Sequence, residues 1–242
     1  MDKSLYMILL ISIDNLISPL LRRSRGRSFT FLFLLLVSVA IFGQPKIKVA
    51  CIGNSITFGY GLKPEQAYPV QLQQLLGDKY EVHNYGISAR TLLTKGNLPY
   101  TKEKIYQEAL NWNPDIVIIK LGTNDSKPIN WKFQKEFIPD YVSMVKAIKS
   151  LSSHPVIYLC LPVPVCSNCI NFHPEWGIRD SIIVNGIIPK IKKVQQKTHT
   201  RLIDLRTPFL DRNQLFADGI HPNAEGAKVI AEEVYKQLII NN

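Results

Sequence analysis

Asp115-Ile116-Val117-Ile118-Ile119-Lys120-Leu121, followed at once by Gly122-Thr123-Asn124-Asp125, decides how this chain folds. The first seven residues are strongly β-branched and apolar, which suits a strand, and the glycine-led polar tetrad after them suits a turn. Working outward, the same unit recurs. Strands are predicted at 46–52 and 80–85 upstream, and at 155–161 and 201–205 downstream. Helical periods fall between and after them, at 66–76, 102–112, about 131–151, 180–198 and 223–239. Strands alternating with helices of this length imply parallel βαβ units with helices on both faces of one sheet. No repeat, low-complexity segment or linker interrupts the region.

The chemistry is expected at the strand ends, because open parallel sheets bind ligands beyond the carboxyl ends of their strands, near the point where strand order reverses. Three polar, glycine-containing turns fall there: Gly53-Asn54-Ser55-Ile56-Thr57, Gly86-Ile87-Ser88 and Gly122-Thr123-Asn124-Asp125. With a flavodoxin-like order of 2-1-3-4-5, all three meet over one spot. Near the C-terminus, Asp218-Gly219-Ile220-His221-Pro222 places a carboxylate three residues before an imidazole, with Pro222 expected to open the last helix. In a tight bend such an Asp can hold Nδ1–H of the His and leave Nε2 free as a base. Ser55 is the candidate nucleophile that His221 would activate. The backbone N–H groups of Ser55 and Gly86 and the side-chain amide of Asn124 are candidate oxyanion donors. Gly86, lacking Cβ, is expected to let the backbone approach the ligand.

On these blocks the sequence resembles the SGNH hydrolases, also called GDSL-type esterases/lipases, over nearly all of 46–242. The matching blocks are Ile52-Gly53-Asn54-Ser55-Ile56-Thr57, Asn84-Tyr85-Gly86-Ile87-Ser88, Gly122-Thr123-Asn124-Asp125 and Asp218-Gly219-Ile220-His221-Pro222. The resemblance implies a three-layer α/β/α sandwich. It also implies Ser55 as nucleophile and first donor, Gly86 and Asn124 as the other donors, His221 as base and Asp218 as its partner. Asn54 stands where the family's name-giving motif has Asp, beside the nucleophile and outside the triad. No metal or organic cofactor is called for, because a triad with fixed donors suffices for acyl transfer.

Composition bounds the rest. The 242 residues, 46% apolar and 20% charged, suit one globular domain plus extra sequence. Residues 1–44 are read as that extra: an uncharged apolar run at 29–42 follows Arg22, Arg23, Arg25 and Arg27 and ends at Gly43-Gln44-Pro45, the pattern of a secretory signal. Uncleaved, it would anchor the 45–242 domain to a membrane with the arginines on the cytoplasmic side. Either outcome implies export to the periplasm, the cell surface or the medium. Formal charge is +10, of which 45–242 carries +7. The lysines are spread along predicted helices rather than gathered into one tract with interleaved aromatics, which argues against nucleic-acid binding. Cys51 and Cys160 lie in apolar runs as small hydrophobes. Cys166 and Cys169 form C-x-x-C in a loop, with no second pair for zinc, and an oxidising compartment favours a local disulfide.

The G-x-S-x-G nucleophile elbow is absent, since Gly86-Ile87-Ser88-Ala89-Arg90 lacks its last glycine. His83, His154 and His199 fall in or beside predicted strands and helices, where structural roles are expected. Substrate is read from size and export: a short acyl group, expected as O-acetyl on a carbohydrate such as sialic acid, with lysophospholipase or acyl-thioesterase chemistry as the same-family alternative. A non-catalytic glycan-binding surface domain is the alternative of another class. The loop at 162–179 is the longest irregular segment near the active edge and carries Phe172, His173, Trp176 and Arg179. It is expected to wall a sugar, with Trp176 stacking and Arg179 pairing with a carboxylate such as that of sialic acid. The stretch 176–189 also resembles the sialate O-acetylesterase branch.

Overall fold

The computed structural model describes residues 45–240; the expected leader at 1–44, with its export or anchoring role, lies outside the described residues. Five strands run through them: β1 Ile47–Gly53, β2 Tyr80–Gly86, β3 Ile116–Lys120, β4 Val156–Leu161 and β5 Arg201–Asp204. All neighbouring pairs are parallel and the order is β2-β1-β3-β4-β5. The sheet is therefore the expected flavodoxin-like one, and every strand delivers its carboxyl end to the same edge.

The strand period sorts side chains between two helical layers. Ala50, Ile52, Val117, Ile119, Ile157 and Leu159 face one layer, made by α3 Lys104–Asn111, α4 Phe137–Lys149 and α5 Ile188–Thr198. Val49, Cys51, Ile116, Ile118, Tyr158 and Cys160 face the other, where α2 Tyr68–Leu76 packs beside α6 Ala224–Ile240. The central strands are buried on both faces, which is why 115–121 reads as an unbroken apolar run and not an alternating one.

Several expected boundaries move. A short helix, α1 Ser55–Phe58, follows β1 directly. The segment at 131–151 is not one helix: a turn at Pro128–Trp131 and a 3-10 turn at Gln134–Glu136 precede α4. In the segment at 180–198, a π-helical stretch at Ile183–Ile187 joins a single turn at Asp180–Ile182 to α5. Pro222 does not open the last helix. That helix begins at Ala224, and Asn223 caps it by accepting the Gly226 N–H at 3.0 Å. Pro222 instead pairs with Phe216 across the preceding bend.

Candidate active site

The turn after β1 is short because Asn54 caps α1: its Oδ1 accepts the Ile56 N–H at 3.1 Å. Ser55 is thereby held at the first position of the helix, its residue 7% exposed. The Ser55 N–H, one of the unpaired donors of a helix start, meets no acceptor among the described residues. A side-chain acceptor is all that this cap needs, so Asn54 serves it where the family motif has Asp. The Asn54 Nδ2 group is left buried without a partner.

The bend at 216–222 builds the imidazole's setting. Gly219 has φ +79°, and a Cβ there would stand 2.3 Å from the Cys166 carbonyl oxygen, so only glycine fits. Asp218 Oδ1 accepts the N–H groups of Ile220 at 2.9 Å and His221 at 2.7 Å, and Oδ2 accepts from His221 Nδ1 at 2.7 Å. Burial pushes the Asp218 carboxyl up, but these donors together outweigh it and hold the carboxyl below its usual range. An ionised Asp218 leaves the proton on Nδ1 and makes Nε2 the acceptor. Nε2 lies 2.8 Å from Ser55 Oγ. The structure thus brings Ser55, His221 and Asp218 into one hydrogen-bonded chain, the first two 166 positions apart in sequence.

Asn124 lies on the 3-10 turn Thr123–Ser126 after β3. One N–H of its side-chain amide donates to the Arg90 carbonyl at 3.2 Å, and its backbone carbonyl accepts from Asn130 Nδ2 at 2.9 Å. Its neighbour Asp125 ties this turn to the one after β2 by accepting the N–H groups of Leu92 at 3.0 Å and Leu93 at 2.8 Å. Burial raises the Asp125 carboxyl to about 6 in spite of those bonds.

Gly86 is placed differently from the expectation. Its N–H is spent on Asn84 Oδ1 at 2.9 Å. A Cβ on Gly86 would meet the Phe58 nitrogen at 2.2 Å and the Thr57 carbonyl carbon at 2.6 Å. The glycine is required by α1 lying against β2. On the same turn Ser88 and Ala89 reach the site instead, and their N–H groups meet no acceptor among the described residues. Ala89 has φ +66°, an uncommon conformation for a residue with a Cβ.

A cavity of about 290 Å³ opens over Ser55 and His221, walled by Tyr60, Ser88, Ala89, Asn124, Lys127, Trp176 and Ile178. Tyr60 packs on the His221 ring with centroids 4.6 Å apart, and Trp176 meets the same ring edge-on at 5.5 Å. Of the loop residues expected to face substrate, Trp176 alone lines the cavity, and one of its faces is covered by His173, stacked at 4.5 Å. Arg179 is exposed; its N–H donates to Ser126 Oγ at 3.0 Å, and its side chain is not part of the wall. Phe172 packs against the core and the Gly219 bend. Cys166 and Cys169 are joined by a disulfide. Tyr60 and Lys127 were not legible as site residues, because neither belongs to a motif and each is carried in by a turn beyond one. Among the described residues, no group of three His, Cys, Asp or Glu side chains could hold a metal ion.

Residues 51–229 match the GDSL-like lipase/acylhydrolase family. An acetylxylan esterase of Xylanibacter ruminicola is 43% identical over 78% of this chain, which spans only 42% of that protein's length. An arylesterase of Vibrio mimicus is 28% identical over 81% of this chain and 90% of its own. Among solved structures, a carbohydrate acetylesterase from Sinorhizobium meliloti superposes with a TM-score of 0.65 at 19% identity, covering 81% of this chain and 99% of that one.

Proposed function

Because the chain belongs to the GDSL-like lipase/acylhydrolase family, also called SGNH hydrolases, we propose that it is a carboxylic ester hydrolase that removes short acyl groups, acetyl above all, from carbohydrate esters. One observation carries the reading: Ser55 Oγ, His221 Nε2, His221 Nδ1 and Asp218 Oδ2 form an unbroken chain of 2.8 and 2.7 Å contacts at the mouth of a cavity. In the first half-reaction His221 takes the Ser55 proton as Oγ adds to the ester carbonyl. The oxyanion is met by the Ser55 N–H, the Asn124 amide and a donor of the Ser88–Ala89 turn. Collapse expels the sugar alcohol, which takes the proton back from His221. Water then adds to the acyl-Ser55 with His221 again as base, releasing the carboxylic acid. Ionised Asp218 stabilises the imidazolium at each stage.

The acetyl preference is supported by the small cavity and by the acetylxylan esterase relative. Sialic acid as the carrier loses its proposed carboxylate partner, since Arg179 lies outside the wall. Export through residues 1–44, to the periplasm, the medium or a membrane surface, remains our reading of the basic and apolar pattern there. A disulfide in the loop after β4 is in keeping with an oxidising compartment.

The test is hydrolysis of p-nitrophenyl esters from acetyl to palmitoyl, together with labelling by a fluorophosphonate. Acetate should be turned over fastest, and Ser55→Ala should lose both labelling and activity by about 10⁴-fold or more. A wild-type protein that neither labels nor turns over acetate, but binds acetylated glycans, would replace the esterase reading with that of a glycan-binding domain. A maximum at long chains points instead to lysophospholipase or thioesterase chemistry, as in the 23% identical thioesterase 1/protease 1/lysophospholipase L1 of Escherichia coli.

A further inference from the structure

Lys127 lies three residues beyond Asn124 and forms part of the same cavity wall as Ser55, Trp176 and His221. It begins the turn Pro128–Trp131, and its backbone is fixed at both ends. Its N–H donates to the Asn124 carbonyl at 3.3 Å, and its carbonyl accepts from Asn130 and Trp131, both at 2.8 Å. The side chain is half-buried, and its ammonium meets no carboxylate, carbonyl or ring among the described residues. Burial pulls its pKa below that of an exposed lysine.

Among the described residues no Asp or Glu lines the cavity, and Lys127 is the one charged side chain of its wall outside the Ser55–His221–Asp218 chain. Nearby carboxylates are already engaged: Asp125 by Leu92 and Leu93, Asp218 by His221, and Glu175 by His173 at 2.7 Å. A partly desolvated cation with no partner gains most from an anion brought by the ligand. Of the rest of the wall, Tyr60 and Trp176 bring aromatic rings and Ile178 an aliphatic side chain, apolar surface against which a sugar ring can lie.

We propose that Lys127 selects acetyl esters carried on an acidic sugar, pairing with the sugar's carboxylate while the ester carbonyl lies against Ser55. The proposal rests on the esterase reading above and names the substrate class of that site. It also assigns to Lys127 the role that the sequence alone suggested for Arg179.

Three substrates test it: a per-O-acetylated methyl glucuronoside, its carboxamide and the corresponding methyl glucoside, with kcat/KM measured for deacetylation of each. In the wild type the acid should exceed both neutral sugars by about tenfold or more, the range of one hydrogen bond to a charged group. Lys127→Met, which keeps the aliphatic stem, should bring that ratio close to one, and Lys127→Arg should retain most of the preference. Wild-type turnover of p-nitrophenyl acetate reports separately on the esterase reading. If acetate is turned over but the acid and its carboxamide react alike, the carboxylate pairing is wrong while the esterase stands. The comparison of acid with carboxamide needs no variant, so it decides even if Lys127→Met does not fold. A short-chain lysophosphatidate that depends on Lys127 more than the glucuronoside does would make the anion a phosphate and overturn the sugar-acid assignment.

Discussion

Lys120 ends β3 with its side chain on the same face as Ile116 and Ile118, in the layer that holds Cys51, Tyr68 and Cys160. It is 1% exposed and its Nζ has no hydrogen-bond partner. Burial depresses its pKa to about 7, with the neighbouring Cys160 opposing slightly. Between pH 7 and the ordinary lysine value of 10.5 the unfolded chain therefore binds the proton that the folded chain has lost, and stability rises with pH. Below pH 7 both states are protonated and the folded state carries the whole cost of a buried ammonium, on the order of a few kcal/mol. Lys120→Met should raise the denaturant midpoint more at pH 6 than at pH 10. An equal gain at both pH values, or a loss at pH 6, would refute the assignment. Residues of this kind are hidden from a sequence reading, since a lysine closing an apolar strand looks like the strand's exit into solvent. Ser55 and the Asp218–His221 pair were legible because their chemistry needs short fixed spacings and turns at strand ends. Tyr60 and Lys127 follow such turns by several residues, and only the path of the chain shows where they arrive.

At the level of elements, α1 and β2 are in such close contact that the backbone of one replaces side chains of the other. The Gly86 position is filled by Thr57 and Phe58 main-chain atoms, which cannot swing aside as a flexible side chain would. Gly86→Ala keeps the N–H, so a glycine needed only as an oxyanion donor would tolerate it without loss of stability. The packing predicts otherwise: destabilisation of about 1–3 kcal/mol or more in chemical unfolding, and a lowered kcat because α1 carries Ser55 at its first position. Unchanged stability with reduced kcat would restore the donor role. The sequence could not separate the two readings, because a glycine at a strand end is equally suited to close ligand approach and to close helix approach. Similar ambiguity hid the breaks in the helices before α4 and α5, where apolar spacing continues through 3-10 and π turns. The loop at 162–179 is anchored differently: Arg206 grips Asp180 through both carboxylate oxygens, at 3.0 and 2.6 Å, while Asp180 also accepts the Val165 N–H at 2.9 Å. Its length was legible, but which of its aromatics turns inward was set by that anchoring and by the Cys166–Gly219 contact.

For the molecule as a whole, the alternation of strand and helix made the sheet order foreseeable, since parallel strands joined by crossover helices leave few arrangements. That order places two separate apolar layers on opposite faces of one sheet, and their coupling is the remaining question. All three tryptophans of the chain, Trp112, Trp131 and Trp176, pack against the layer that contains α3, α4 and α5. None reports on the layer beneath α2 and α6, where Ile230, Val234 and Leu238 are fully buried. Because the central strands contribute alternate side chains to both layers, neither can be lost without unpairing the strands that support the other. Ile230→Ala opens a cavity on the tryptophan-free face and should cost about 2–5 kcal/mol. If the sheet couples the layers, tryptophan fluorescence and far-UV circular dichroism will shift to the same lower midpoint in denaturant. A variant in which circular dichroism falls first while the fluorescence transition stays at its wild-type position would show that the α3–α5 layer holds together without the other.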